Sequence, residues 1–237
     1  MHGGTCLNAP LDDVHSPFLS DSLSDTMILC RSDPRRWDGE CVCASYTDET
    51  SFAKDEVAAL SCCFDTECAG HTVFDAWGWV NGPYKADDFG ALSVELPIYA
   101  GAGKGGSGAQ CSLDAATRTG TLTMGYADSK LTFTWETAAN TVLRNFHLHI
   151  GCAETNPYPL QRKGKPSSPT YLETIARGQF QFPTKANPES GHELTIEDTT
   201  LIPSDPEGGT YMLDTCIKAD GIYVIAHWET QICAAAA

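Results

Sequence analysis

Thr119–Glu136 reads TGTLTMGYADSKLTFTWE. In its second half Leu131, Phe133 and Trp135 alternate with Thr132 and Thr134. Successive side chains of an extended strand point to opposite faces, so this alternation gives one buried and one exposed face. A helix would instead space its apolar residues three and four apart. The first half, Thr119–Tyr126, sets Leu122 and Met124 against Thr121 and Thr123, and Ala127-Asp128-Ser129 between the halves favours a turn. The stretch is therefore a β-hairpin.

The same reading extends outward from the hairpin. Leu92–Ala100 (LSVELPIYA) is a strand in which Pro97 predicts an edge position or a bulge. Val142–Gly151 places Phe146, Leu148 and Ile150 on one face and His147 and His149 on the other. Further strands are expected near Gly178–Phe182, at Glu193–Glu197 and at Ile222–Ile232, with a long Pro-rich connection over Asn156–Thr170. Short strands at this spacing, with no alternating helices, predict an all-β fold, an antiparallel β-sandwich of about seven or eight strands.

The N-terminal stretch differs. Residues 1–60 read as a cysteine-rich, loop-dominated arm and extension, 61–233 as the sandwich domain, and 234–237 as a low-complexity end. One short helix is expected over Phe52–Cys63, with Val57 and Leu60 on one face. The first eight residues lack the basic and apolar regions of a secretion signal, which is expected to have been removed or replaced.

Eleven cysteines in 237 residues decide the expected compartment: Cys6, Cys30, Cys41, Cys43, Cys62, Cys63, Cys68, Cys111, Cys152, Cys216 and Cys233. No Cys-x-x-Cys pair occurs, so zinc-cluster spacing is missing and a disulfide framework is expected, hence secretion or display at the cell surface. An odd count leaves one thiol buried and free or bonded to another chain. Vicinal Cys62-Cys63 is read as the origin of two separate bridges. Cys111–Cys233 and Cys152–Cys216 are one of three ways to pair the last four. The net charge of −16 has the wrong sign for nucleic acid or an anionic membrane surface, and no apolar run is long enough to span a bilayer. Asn-x-Ser/Thr does not occur, while Ser167-Ser168-Pro169-Thr170 could accept O-linked sugar.

Several segments, in order, carry a resemblance: Cys62-Cys63-Phe64, Trp77-Gly78-Trp79-Val80-Asn81-Gly82-Pro83, Tyr99-Ala100-Gly101-Ala102-Gly103 with Gln110-Cys111, Gly120-Thr121-Leu122-Thr123, Phe146-His147-Leu148-His149-Ile150-Gly151, Gly178-Gln179-Phe180 and Tyr223-Val224-Ile225-Ala226-His227. Together they resemble secreted β-sandwich domains from extracellular and cell-surface proteins of aquatic microbes, which have no assigned enzymatic activity. The resemblance spans residues 60–233 and implies a matrix, adhesion or appendage role. Lys104–Ala109 interrupts the Tyr-Ala-Gly-Ala-Gly-Gln-Cys run, and the connection after Cys152 is longer than in those domains.

Candidate functional groups are few. The Gly101–Gly108 loop lacks the Gly-Lys-Ser/Thr of a phosphate cradle and reads as a flexible loop. His147, His149 and His227 form the candidate metal set, because strand residues i and i+2 share a face and an adjacent strand could add the third; the competing reading is satisfied core histidines. Trp77, Trp79 and Tyr84 are the candidate glycan-stacking set, against the commoner reading of buried packing, and Asn81-Gly82-Pro83 reads as a turn. Thr26, Met27, Ile28 and Leu29 are the candidate assembly strand, able to add to a neighbour's sheet edge. The acidic pairs Asp12-Asp13, Asp48-Glu49 and Asp87-Asp88 lack calcium-loop spacing, which leaves at most weak Ca²⁺ binding, and no dedicated cofactor is expected. No catalytic motif is found. The expected function is a non-enzymatic structural or adhesive subunit of a cell-surface matrix, filament or appendage, partnered by copies of itself or other extracellular proteins. The alternative is a glycan- or metal-binding module.

Overall fold

The computed structural model describes residues 45–68, 70–90, 93–104, 111–165, 168–184, 193–203 and 209–233. In chain order its strands are β1 (Tyr46–Ala53), β2 (Ser61–Cys63), β3 (Trp79–Tyr84), β4 (Val94–Ala100), β5 (Thr117–Ala127), β6 (Lys130–Thr137), β7 (Thr141–Cys152), β8 (Leu160–Lys165), β9 (Ser168–Glu173), β10 (Phe182–Thr184), β11 (Glu193–Glu197), β12 (Leu201–Pro203), β13 (Thr210–Met212) and β14 (Ile222–Cys233). One helix, α1 (Leu213–Lys218), precedes β14. The fold is all-β and antiparallel, and residues Asp48–Gln231 form one compact unit.

The main sheet runs β10-β7-β14-β1-β4-β5-β6-β11, with β3 also on β14 and β2 on β3; β8-β9 and β12-β13 are separate two-stranded ribbons. Toward its β11 edge lies the hairpin expected at Thr119–Glu136. Ala127 pairs with Lys130 across a two-residue turn in which Asp128 and Ser129 both have positive φ (50° and 63°), the twist that joins antiparallel strands most tightly. The sheet curls so that its distant strands meet: Trp135 of β6 lies 4.6 Å from Phe146 of β7, and Phe146 stacks on Trp228 of β14 at 4.7 Å.

Two apolar cores result, and strand period decides which residue enters which. On β14, Val224, Ala226 and Trp228 point into a core shared with Leu96, Ile98, Leu122, Phe133 and Leu148. Ile225 points the other way, into a second core with Phe52, Phe64, Trp79, Tyr158 and Phe180. Val224–Trp228 of β14 is therefore buried on both faces. Its outer face is covered by residues from connecting segments around Phe64 and Tyr158.

Several expectations need correction. No helix forms over Phe52–Cys63: Ser51, Phe52 and Ala53 pair with Ala100, Tyr99 and Ile98 of β4, a single 3₁₀ turn follows at Ala58–Leu60, and β2 begins at Ser61. Ladder pairing overrides the weak local period, and Val57, expected on one face of that helix with Leu60, is 57% exposed. Pro97 is not on an edge, since β4 lies between β1 and β5. The other expected position, a bulge, is the one seen: the register shifts at Ile98/Tyr99, and the Pro97 carbonyl accepts from the Lys54 N–H just where β1 ends.

Asn81-Gly82-Pro83 lies within β3 rather than forming a turn. Gly82 is required there, since its φ is +118° and a Cβ would meet the Ile222 carbonyl oxygen at 2.5 Å. The strand count exceeds seven or eight because short segments also pair. The Pro-rich connection contains β8 and β9, and Gly178–Phe182 divides into a 3₁₀ turn at Arg177–Gln179 and the start of β10.

Candidate functional site

β7 and β14 are neighbours in the sheet, and their outward side chains meet in successive rungs. Asn145 Nδ2 donates to Glu229 Oε2 at 2.6 Å, and two residues further His147 Nδ1 faces His227 Nδ1 at 3.4 Å. Numbers rise along β7 as they fall along β14, as antiparallel neighbours require. Arg177 closes the rim, its Nη1 lying 3.4 Å from Glu229 Oε1. Below the pair, the His227 ring packs 4.8 Å from Phe52.

The three candidate histidines separate by depth. His227 is fully buried and His149 is 2% exposed, while His147 is half-buried. Counting one more rung puts His149 opposite Ile225, and its ring lies 6.2 Å from Phe180. Both His149 nitrogens and His227 Nε2 lack a hydrogen-bond partner among the described residues. Burial holds His149 neutral, with its pKa pushed down to about 3. Burial, with the charges of Arg177 and His147, pushes His227 down to about 2. His147 is also lowered, by burial and then Arg177, against an opposing pull from Glu229. The structure thus brings His147 and His227 together and sets His149 apart in the apolar cover. Among the described residues no three His, Cys, Asp or Glu side chains close around a common point.

The aromatic set does not form a platform. Trp79 is 2% and Tyr84 1% exposed, at opposite ends of β3. Trp79 packs edge-on to Trp77 at 6.0 Å, and Trp77 in turn packs on Phe52 at 5.2 Å. The Tyr84 hydroxyl donates to Asp55 Oδ2 at 2.7 Å inside the protein, and burial together with that carboxylate raises its pKa strongly. Trp77 alone is partly accessible. Strand spacing correctly put Trp77 and Trp79 near one another, but the loops covering this face take the surface a sugar would need.

Asn81 is the polar residue that sequence reasoning undervalued. Fully buried, its Oδ1 accepts from the Asp55 N–H at 2.8 Å and the Ser61 hydroxyl at 2.9 Å, while Nδ2 donates to the Ala53 carbonyl at 3.0 Å. It joins β3 to the end of β1 and the start of β2. Its signal was an Asn in a buried aromatic stretch, where each amide group must find a partner. His71 was not singled out either: its Nδ1 lies 2.8 Å from Glu173 Oε1, and the Thr72 N–H donates to Glu173 Oε2 at 2.8 Å. Asp88 of the acidic pairs accepts from the Lys85 N–H at 2.6 Å and caps the 3₁₀ turn Ala86–Phe89.

Three disulfides join pairs of described residues. Cys62–Cys68 and Cys63–Cys111 leave the vicinal pair in separate directions, with Cα atoms 5.9 and 6.1 Å apart, and Cys152–Cys216 ties the end of β7 to α1 at 5.3 Å. The Cys152–Cys216 expectation is met. Cys111–Cys233 does not form, because Cys63, carried by β2 beside β3, reaches Cys111 first; Cys233 is also disulfide-bonded. No cysteine among the described residues is free. Cys6, Cys30, Cys41, Cys43 and the assembly segment Thr26, Met27, Ile28 and Leu29 lie outside the described residues. No helix among the described residues is long and apolar enough to cross a membrane. No protein family, curated protein or solved structure matches the chain.

Proposed function

We propose that this chain is a secreted, non-enzymatic structural or adhesive subunit of an extracellular matrix, fibre or surface appendage, built on a β-sandwich. The observation that carries the reading is where the disulfides lie. Cys62, Cys63, Cys68 and Cys111 border the second core, whose cover joins the short β2–β3 pair to connecting segments around Cys68, Cys111 and Tyr158. Covalent ties at such a cover suit an oxidising environment in which the chain must keep its shape without cellular maintenance. The contact of Trp135 with Phe146, from strands far apart in the sheet order, supports the sandwich form. The resemblance to secreted domains of aquatic microbes points the same way.

Assembly uses a sheet edge. The main sheet ends in β11, which pairs with β6 on one side and has no partner strand on the other among the described residues. An extended segment of a neighbouring copy, Thr26–Leu29, is the assigned occupant, because added strands gain backbone hydrogen bonds without sequence-specific pockets.

The test is the solution mass of the full chain across concentration, with and without reductant, beside the variant Ile28→Asp/Leu29→Asp. A self-association lost in the variant is the expected result. A strict monomer under every condition overturns assembly, and a monomer retained on immobilised glycan replaces it with the binding-module reading.

A further inference from the structure

The strongest unassigned feature is the His147–His227 pair. Each imidazole presents Nδ1 to the other at 3.4 Å, longer than an ordinary hydrogen bond. Two nitrogens each about 2.0–2.1 Å from one tetrahedral ion stand about 3.3–3.4 Å apart. The pair already has the separation of two ligands on one metal. The remaining contacts also suit ligands. The His227 ring packs 4.8 Å from Phe52, so it is oriented before any ion arrives.

A third donor stands one rung away. Glu229 lies two residues from His227 on the same face of β14 and is half-exposed, engaged with Asn145 and Arg177. Binding a third donor would need Glu229 to turn from Asn145 and Arg177 toward the histidines, since among the described residues no third His, Cys, Asp or Glu side chain already closes on the pair. Arg177, itself half-exposed, is released to solvent. His147 is half-buried, so the site opens at its rim and leaves a fourth position for water.

We propose that His147, His227 and Glu229 bind a borderline divalent transition-metal ion of the Zn²⁺ class, clamping β7 to β14. Two imidazoles and one carboxylate select this class over Ca²⁺ or Mg²⁺, which require more oxygen ligands. His149, set opposite Ile225, takes no part. The site goes beyond the assembly role and does not depend on it.

The experiment uses the full oxidised chain, stripped with chelator, then titrated with ZnCl₂ by calorimetry and with CoCl₂ by visible absorbance. One equivalent of metal and the intense bands of four-coordinate Co²⁺ are expected. His147→Gln should weaken binding at least about tenfold and abolish the bands, and Glu229→Gln should weaken it about tenfold. His71→Gln, whose imidazole is engaged by Glu173, should leave binding unchanged. Should His147→Gln fail to fold, Glu229→Gln, at a half-exposed position, tests the same site. Zn²⁺ binding no tighter than millimolar, or binding that survives both substitutions, overturns the proposal.

Discussion

Removing the disulfides pairwise discriminates among three bridges that close loops of very different length. Cys62–Cys68 spans 6 residues, Cys63–Cys111 48 and Cys152–Cys216 64. In the chain-entropy treatment a cross-link stabilises by limiting the unfolded ensemble, by about 2 kcal/mol for the shortest loop and about 4 kcal/mol for each of the longer two. Cys152 and Cys216 are both buried in the first core, so alanine is the right replacement there; serine would bury an unpaired hydroxyl. The variants are Cys62→Ala/Cys68→Ala, Cys63→Ala/Cys111→Ala and Cys152→Ala/Cys216→Ala. Urea unfolding with far-UV circular dichroism reads the loss, and the slope should rise as the unfolded ensemble is released from the cross-link. The short-loop variant should lose least. If it loses as much as Cys152→Ala/Cys216→Ala, or if the latter loses less than about 1 kcal/mol, the bridges do not act as loop constraints.

Two further outcomes follow from single contacts. Burial alone would raise the pKa of Glu173, but hydrogen bonds from the Thr72 hydroxyl, the Thr72 N–H and His71 outweigh it and lower the value. A carboxylate depressed in the folded state contributes stability above its unfolded pKa and loses it as pH falls through the folded one. Glu173→Gln should therefore narrow the stability difference between pH 7 and pH 3 in urea titrations; an unchanged difference would show that this cluster does not stabilise the carboxylate. Gly120→Ala would set a Cβ 2.2 Å from the Glu136 carbonyl oxygen across the β5–β6 hairpin, so a loss of about 2 kcal/mol or more is expected, and a loss within about 0.5 kcal/mol would contradict the β5–β6 register.

The elements legible in the sequence are those whose side-chain period coincides with burial. Leu131, Phe133 and Trp135 announce β6, and Phe146, Leu148 and Ile150 announce β7, because one face enters the first core. The period does not carry the environment of the opposite face. On β7 the alternation separates His147 and His149 from the apolar residues, which on an ordinary two-layer sheet means solvent. Here Phe64, Tyr158 and Phe180, distant in the chain, cover that face and bury His149. The same cover takes Trp79 out of reach of a ligand, while Tyr84 is buried in the first core. The end of β1 resembles a helix start because three ladder pairs to β4, invisible locally, outweigh the spacing of Val57 and Leu60. β8 is hidden because Leu160–Lys165 carries Arg162, Lys163 and Lys165 in six residues, a composition that looks like a loop until β9 pairs with it. α1 escapes notice because its apolar positions Leu213, Cys216 and Ile217 form a single turn, too short a window for a period to emerge.

The doubly covered sheet links the covalent and polar features of this protein. A stretch of strand buried on both faces, as Val224–Trp228 of β14 is, has no solvated side on which to place polar groups. Any polar residue on it must be neutral, partnered or bound to an ion. The cover that imposes this condition combines the short β2–β3 pair with connecting segments, and Cys62–Cys68 and Cys63–Cys111 hold it in place. Loosening that cover should therefore reach the histidines before it reaches the first core. In the Cys63→Ala/Cys111→Ala variant, hydrogen exchange should accelerate at the indole and backbone groups of Trp77 and Trp79 while β5 and β6 stay protected. Uniform acceleration across both cores would mean that the two layers open together, and that the bridges brace the whole sheet rather than its outer cover.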